Sequence, residues 1–183
     1  MSLMRRTADQ IALDDLEALF AHWRALSATA SEPGPPPRRA LDPTALPATL
    51  LPRLKIAVRE ADGGWRYRLV GTAFRDLSGI ELSGKRIDEV ESAPYARHLT
   101  ELFDTVTAER RPIFCEARYL GPGRQVHRKV ARLLTPFVSG AEVDTVVIGA
   151  RWTDLAADPV TSLSMLDVDS DLPVAIVEPD SPA

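Results

Sequence analysis

The sequence predicts an α+β domain in which a β-hairpin, two helices and a three-stranded meander follow an N-terminal amphipathic helix. Three observations predict this class. An apolar stripe with helical spacing precedes a proline-rich stretch, a hairpin signal follows it, and strand-like segments separated by glycine turns come last. The chain has 183 residues, 45% of them hydrophobic, which is enough for one ordinary domain and too few for two.

Proline content and charge divide the chain into five predicted parts. These are a disordered or tag-like N-terminus (1–10), an N-terminal helix (11–32), a proline-rich linker (33–52), the main domain (53–152) and an acidic tail (153–183). Disorder is the default for a tail whose charged residues are all acidic. The apolar run Leu172–Val177 instead favours a clip that docks on the arginine-bearing part of the domain.

The N-terminal helix has an apolar stripe that is too large to leave in water. Its members recur three or four residues apart: Leu16, Leu19, Phe20, Trp23 and Leu26. Asp14 and Glu17 have the spacing of a capping box. Burying each large apolar side chain contributes roughly 1.5–3 kcal/mol, so we expect the helix to cover the outer face of a sheet, its own or that of a second copy.

A hairpin signal follows the linker. The strands Leu54–Glu60 and Trp65–Val70 flank the turn Ala61–Gly64. The face of the second strand that bears Trp65, Tyr67 and Leu69 is the more apolar, and we expect it to be covered.

Two helices and three strands complete the predicted domain. A short helix spans Ala73–Ser78, and a longer one has Pro94 in its first turn and runs to about Glu109. Three strands at hairpin spacing then form a meander: Ile113–Leu120, Val126–Phe137 and Glu142–Trp152.

Composition excludes several classes of protein. A net charge of −4 argues against a nucleic-acid binder. The sequence has neither a membrane-span run nor a secretory signal, so we expect a cytoplasmic protein without a membrane partner. The single cysteine, Cys115, excludes an internal disulfide and a multi-cysteine metal site, and no catalytic or metal-binding motif occurs.

Residues 67–90 resemble a short single-domain bacterial PAS family. In that family a strand ends in R-L-V-G-T, as Arg68–Thr72 does here, and a glycine loop with an L-x-G-x-x element follows, as in Leu82–Arg86. The segment Leu41–Leu54 resembles the stretch that precedes that family's sheet. The resemblance covers roughly residues 12 to 152, and it implies a five-stranded antiparallel sheet with helices on one face. It also implies a sensory role through ligand or protein binding.

A PAS-like arrangement implies a mostly apolar pocket between the sheet and the two helices after the hairpin. We expect seven residues to line it: Tyr67, Phe74, Leu77, Tyr95, His98, Leu99 and Leu102. Phe114 or Cys115, and Val146 or Ile148, would close the wall. The tyrosine hydroxyls and His98 would be the polar anchors, and the alternative is a packed core without a cavity.

We expect no cofactor and no metal. Some PAS domains hold haem through a histidine of the long helix, and His98 keeps that option open, although a partly exposed helix residue is the simpler interpretation. We reject flavin photochemistry because the chain lacks both the N-C-R-F-L element of light-sensing relatives and any asparagine.

Arginines and a lysine on the predicted strands allow three interpretations. The residues are Arg66, Arg68, Arg118, Arg128, Lys129 and Arg132. These side chains can extend over a sheet that has one solvent-exposed face, bind an anionic ligand, or bind the acidic tail.

The leading functional hypothesis is a non-catalytic sensory module that binds a small ligand, a protein partner, or both, in bacterial signalling. We expect a homodimer through the N-terminal helix or the outer sheet face, with a separate signalling protein as a further partner. The alternative is a small isomerase or hydrolase, which a buried carboxylate or histidine inside the cavity would favour.

Overall fold

A mixed seven-stranded sheet organises the residues that this computed structural model describes, which are 3–7, 13–30, 34–120, 127–155 and 174–178. The strands lie in the order β1-β7-β4-β5-β6-β2-β3. Their bounds are β1 (Leu3–Thr7), β2 (Leu54–Arg59), β3 (Trp65–Val70), β4 (Ile113–Leu120), β5 (His127–Ser139), β6 (Glu142–Leu155) and β7 (Val174–Glu178). The predicted five strands form the antiparallel run β4-β5-β6-β2-β3, so the fold prediction is confirmed and two strands are added at one edge.

Within the described residues, four α-helices cover the two faces of this sheet. They are α1 (Glu17–Ala28), α2 (Thr72–Ser78), α3 (Ile87–Val90) and α4 (Ala93–Glu109). On the outer face, α1 packs in one hydrophobic cluster with residues such as Leu133 and Val147. On the inner face, α4 packs in a second cluster with residues such as Leu134 and Ile148. The alternation along β5 and β6 therefore separates two apolar layers.

The N-terminal helix covers the chain's own sheet, as the stripe predicted. Trp23 is only 7% exposed, and its indole Nε1 donates a hydrogen bond of 2.7 Å to the Pro136 carbonyl on β5. Gly149 on β6 allows this close approach, because a Cβ there would lie 2.9 Å from a methyl carbon of Leu19. The helix is thus held by apolar burial and by one buried polar contact.

The predicted capping box at this helix is wrong. The helix begins at Glu17, after a 3₁₀ turn formed by Asp14–Leu16, and no side chain caps its first residues. The Asp14 carboxylate instead accepts a hydrogen bond from the Arg151 guanidinium on β6. The Asp14 carboxylate therefore binds Arg151, which the tertiary fold brings close, and does not cap the helix.

A β-bulge in the hairpin overturns one predicted face. Ile56 pairs with Leu69 and Ala57 pairs with Tyr67, so β3 has one extra residue at Arg68. Because a bulge shifts the alternation by one residue, Leu69 leaves the face of Trp65 and Tyr67 and is 42% exposed. The prediction that Leu69 is covered is wrong for this reason.

The proline-rich segment lies against the domain. It contains the 3₁₀ turns Arg38–Ala40, Pro43–Ala45 and Leu51–Arg53. The Val138 amide donates a hydrogen bond of 3.0 Å to the Pro36 carbonyl, and Leu46 and Leu50 join the outer-face cluster. The segment therefore wraps the edge of the outer layer.

Short segments near both ends of the chain form strands of the sheet. Residues Leu3–Thr7, within the stretch predicted to be disordered, form β1, which pairs in parallel with β7. Strand β7 pairs with Ile113–Cys115 of β4, so the apolar part of the tail docks on the domain by extending the sheet. Val174–Val177 are buried, two on each face, because both faces of the sheet are covered. Leu172 and most of the acidic tail lie outside the described residues.

Candidate ligand pocket

A cavity of about 80 Å³ lies between the inner face of the sheet and helices α2 and α4. This volume can hold several waters or a small ligand. The described part of its wall is mostly apolar, with Phe74, Leu77, Leu82, Leu99, Phe103, Val130, Leu134, Ile148, Ala150 and Trp152. Six polar or ionisable residues complete it, and they are Lys55, Tyr67, Ser78, Glu91, Tyr95 and Arg132.

Five of the seven predicted pocket residues lie in this wall. They are Tyr67, Phe74, Leu77, Tyr95 and Leu99. On α4 the wall residues Tyr95, Leu99 and Phe103 are four positions apart and share one helix stripe. His98 and Leu102 belong to the adjacent stripe, so the structure places both outside the wall.

The two pairs of alternative wall residues are also resolved. Ile148 lines the cavity, whereas Val146 is buried among the inner-face core residues without reaching it. Cys115 is likewise buried on the inner face, and Phe114 points to the outer face with α1. Strand alternation explains why Phe114 and Cys115 face opposite sides, and neither of them is among the described wall residues. Val146 and Ile148 share the inner face and differ in their position along β6.

Helix α2 closes one side of the cavity. Phe74 meets Trp152 of β6 in an edge-to-face contact with ring centroids 5.3 Å apart. This contact belongs to a small cluster with Val130 and Ala150, and no residue of α2 is fully buried. Side chains of the short helix that line the cavity therefore also contribute to its packing on the sheet.

The wall of the cavity includes a network of Lys55, Tyr67 and Glu91. The Lys55 ammonium lies 3.8 Å from a Glu91 carboxylate oxygen and donates a hydrogen bond of 3.3 Å to the Tyr67 hydroxyl. The Tyr67 hydroxyl in turn donates a hydrogen bond of 2.9 Å to Glu91. Burial lowers the pKa of Lys55 to about 8, although Glu91 opposes this shift. Burial, followed by the Glu91 charge, raises the pKa of Tyr67 well above its usual value.

Arg132 and Tyr95 form a second polar contact in the same wall. The guanidinium Nη2 donates a hydrogen bond of 2.8 Å to the Tyr95 hydroxyl, and the guanidinium carbon lies 5.6 Å from the Tyr95 ring centroid. Arg132 is only 5% exposed. A buried cation therefore stands beside the cavity, oriented by an aromatic residue of α4.

His98 lies next to Tyr95 on α4, with the two rings 6.5 Å apart and nearly parallel. Burial, and then the positive charge of Arg132, lower the pKa of His98 to about 4. The imidazole is thus neutral over most of the ordinary pH range. In the part of the chain that the structure describes, no cluster of three or more His, Cys, Asp or Glu residues is arranged to hold a metal.

Sequence reasoning missed Lys55 and Glu91. Lys55 lies between two apolar residues, Leu54 and Ile56, and such a position is exposed in a sheet with one solvated face, so the local pattern gives no sign of burial. The predicted packing of α1 on the outer face could have indicated that Lys55 is buried, because a sheet that is covered on both faces also buries charged residues on its strands. Glu91 belongs to an acidic stretch and has no local feature that marks it as buried.

The six basic residues singled out on the strands separate into different environments. Arg66 pairs with Glu60 at 2.6 Å, Lys129 pairs with Glu116 at 2.7 Å, and Arg68 is exposed. The side chains of Arg118 and Arg128 lie outside the described set. Arg132 is the one described member of the six that lines the cavity.

Comparisons with known proteins point to one family. A family profile described as a PAS domain matches residues 12–151. Among solved structures, the PAS domain of BvgS from Bordetella pertussis is similar at 23% sequence identity, over 78% of this chain and 90% of that chain, with a TM-score of 0.43. No curated protein matches. Within the described residues, no helix is both long and apolar enough to cross a membrane.

Proposed function

Because this chain belongs to the PAS domain family, we propose that it is a non-catalytic sensory module that binds a small ligand in the pocket between α4 and the sheet. The observation that carries this proposal is the cavity itself. Protein interiors are normally close-packed, and an apolar cavity with a few polar groups in its wall is the usual form of a ligand site.

Filling the cavity tests this proposal. Leu99 lines it, and Leu99→Trp places a larger ring in the same space. The control is Ala108→Trp, because Ala108 is exposed on the same helix. Native mass spectrometry of the purified protein, followed by a metabolite screen for thermal stabilisation, should detect a small molecule in the unchanged protein and the control. It should be lost from Leu99→Trp, and equal retention in all three proteins would contradict the pocket.

An enzyme remains the second candidate because Glu91 is a largely buried carboxylate in the cavity wall. Its side chain is only 12% exposed, and a buried carboxylate in the cavity is the feature that would favour an enzyme. The pairing of Glu91 with Lys55 and Tyr67 gives it a structural explanation, and this favours binding over catalysis. Chemical conversion of a ligand identified by mass spectrometry, abolished in Glu91→Gln, would reverse this preference.

We propose that the module works without haem or flavin. A haem bound through His98 needs that side chain in the cavity wall, and the described wall does not include it. An absorption spectrum of the purified protein with a Soret band that disappears in His98→Ala would contradict this proposal.

We also propose that a second copy of the chain is the partner on the outer face. α1 leaves part of that face open, where Leu69, Ile56 and Leu41 line a groove beside the proline-rich segment. The groove continues the outer apolar layer, and Leu69 is a large exposed hydrophobic residue at its rim. Light scattering should show that the unchanged protein is a dimer and that Leu69→Glu is a monomer. If the unchanged protein is a monomer, a second copy is excluded as the partner and a separate signalling protein is favoured.

A further inference from the structure

Building on the proposed function, we propose that the pocket binds a small apolar aldehyde as a reversible imine of the Lys55 side chain. The ligand is then defined by a carbonyl carbon that the amine can attack and by a short alkyl group that fits the cavity. The inference rests on the position of the Lys55 amine, on the groups that can move protons at it, and on the charge that the product retains.

Lys55 is the lysine that a molecule in the cavity would meet. The chain has three lysines, and of these only Lys55 belongs to the described wall of the cavity. Lys85 is exposed to solvent, and Lys129 pairs with Glu116 at 2.7 Å. A reaction in the pocket would therefore modify one lysine and leave the other two as internal controls.

The Lys55 amine is held between two aromatic rings. Its Nζ lies 4.4 Å from the Phe74 ring centroid and 4.5 Å from that of Tyr67. The Tyr67 hydroxyl accepts a hydrogen bond of 3.3 Å from it, and the Glu91 oxygen at 3.8 Å is beyond normal hydrogen-bond length. Because the ammonium carries three N–H groups, these contacts leave room at the nitrogen for a bond to a ligand carbon.

The surroundings of Lys55 favour the neutral amine, which is the form that attacks a carbonyl carbon. Burial lowers the pKa of Lys55 to about 8, while Glu91 opposes this shift and the charge of Arg132 adds to it. Roughly a tenth of the side chain is therefore neutral at pH 7, compared with roughly one part in three thousand for a lysine with the usual pKa.

Glu91 and Tyr67 can carry out the proton transfers of imine formation. Glu91 accepts a proton from the ammonium, directly or through the Tyr67 hydroxyl that donates a hydrogen bond of 2.9 Å to it. The nitrogen lone pair then bonds to the carbonyl carbon, and the carbonyl oxygen takes that proton to become a hydroxyl group. Glu91 accepts a second proton from the nitrogen and gives it to the hydroxyl group, which leaves as water while the C=N bond forms. The overall change converts an aldehyde and an ammonium into a protonated imine and water.

The product keeps the charge of the site. A protonated imine carries one positive charge, as the ammonium does, so Glu91 retains its ion-pair partner. The rings of Phe74 and Tyr67 favour a cation at the same place. The imine can therefore form without leaving a buried carboxylate unpaired.

The size and lining of the cavity limit the rest of the aldehyde. Its volume is about 80 Å³, and described wall residues such as Leu99, Leu134 and Ile148 are apolar. A short alkyl chain therefore fits the cavity better than the hydroxylated chain of a sugar.

Reductive trapping tests the imine. The protein is incubated at pH 7 with butanal and sodium cyanoborohydride, which reduces an imine to a stable secondary amine, and peptide mass spectrometry locates the labelled lysines. We expect Lys55 to be labelled at least roughly tenfold faster than the exposed Lys85, because the cavity holds the aldehyde beside a partly neutral amine. Leu99→Trp should lose the Lys55 label, and Ala108→Trp should keep it.

Thermal unfolding with matched probes gives a second measurement. Butanal should raise the Tm of the unchanged protein more than butan-1-ol, which has the same chain length and no carbonyl group. Lys55→Met should remove this difference, whereas Lys85→Met should keep it. If Lys55→Met does not fold, the peptide map of the unchanged protein decides without a variant. Labelling of Lys55 no faster than that of Lys85 would overturn the proposal.

The outcomes separate this inference from the proposed function. If native mass spectrometry finds a molecule that Leu99→Trp excludes, but Lys55 is not labelled preferentially, the pocket stands and the imine is wrong. If Lys55 is labelled equally fast in the unchanged protein and in Leu99→Trp, the amine does not react through the pocket and this inference is wrong. If Lys55 is not labelled preferentially and no small molecule is found, both proposals fail.

Discussion

The Lys55 ammonium lies 3.8 Å from the Glu91 carboxylate on the covered face of the sheet. This ion pair connects β2 to Glu91, the residue that follows α3. The side chains are 9% and 12% exposed. The pair is therefore shielded from water, and neutralising either member leaves the other charge in a poorly solvated site.

The first prediction concerns the pH dependence of stability. Burial lowers the pKa of Lys55 to about 8 in the folded protein, from the usual value of 10.5 for the exposed side chain. Between these values the unfolded chain binds a proton that the folded protein has lost, so Lys55 makes stability rise with pH. We expect a gain of about 2 kcal/mol by about pH 9.5.

Urea denaturation of the unchanged protein and of Lys55→Met measures this effect. Other titrating groups are common to both proteins, so the difference between their free energies of unfolding isolates Lys55. As pH rises through 8, the free energy of unfolding of the unchanged protein should increase relative to that of Lys55→Met. A difference independent of pH would show that the folded pKa of Lys55 is not lowered.

The second prediction concerns the packing of α1 on the outer face. Trp23→Ala removes a buried ring and its hydrogen bond to Pro136, and we expect a loss of about 3–5 kcal/mol in the free energy of unfolding. Trp23→Phe keeps the packing and should lose only about 1 kcal/mol. Ala25→Ser, at an exposed position of the same helix, is the control. Equal small effects for all three would mean that α1 does not pack on the sheet.

The third prediction tests the docked end of the tail. Ile176 is 1% exposed and pairs with Ile113, so Ile176→Ala should reduce the free energy of unfolding by about 2–4 kcal/mol. Ile80 is 46% exposed, and Ile80→Ala should change it by less than about 0.5 kcal/mol. Amides of Val174–Glu178 should be protected from hydrogen exchange, and rapid exchange there would contradict β7.

The fourth prediction explains the glycine in the R-L-V-G-T element. A Cβ on Gly71 would lie 2.2 Å from the Pro52 carbonyl oxygen, and this backbone atom cannot rotate away as a flexible side chain can. Gly71→Ala should therefore destabilise the fold by at least about 1–3 kcal/mol in thermal or chemical unfolding. Thr72→Ala, next to it and exposed, should have little effect. Similar stabilities for the two variants would argue against this close approach.

Local patterns predicted much of the fold because they depend on short stretches of chain. The stripe around Trp23 and the turn Ala61–Gly64 each specify an element without reference to distant residues. The same periodicity placed Tyr95 and Leu99 on the cavity side of α4. It did not distinguish Phe103 from Leu102, because the two lie on adjacent stripes and both are apolar.

The sequence by itself predicted the order of the elements from α1 to β6 apart from α3, the burial of α1, and three residues of the apolar pocket wall, Phe74, Leu77 and Leu99. Tertiary structure decided what no short stretch encodes. A bulge at Arg68 moved Leu69 to the opposite face, and the pairing of β7 with β4 brought the tail into the sheet. Coverage of both faces buried Lys55 and Arg132, since the burial of a charged side chain depends on what the whole chain packs over it.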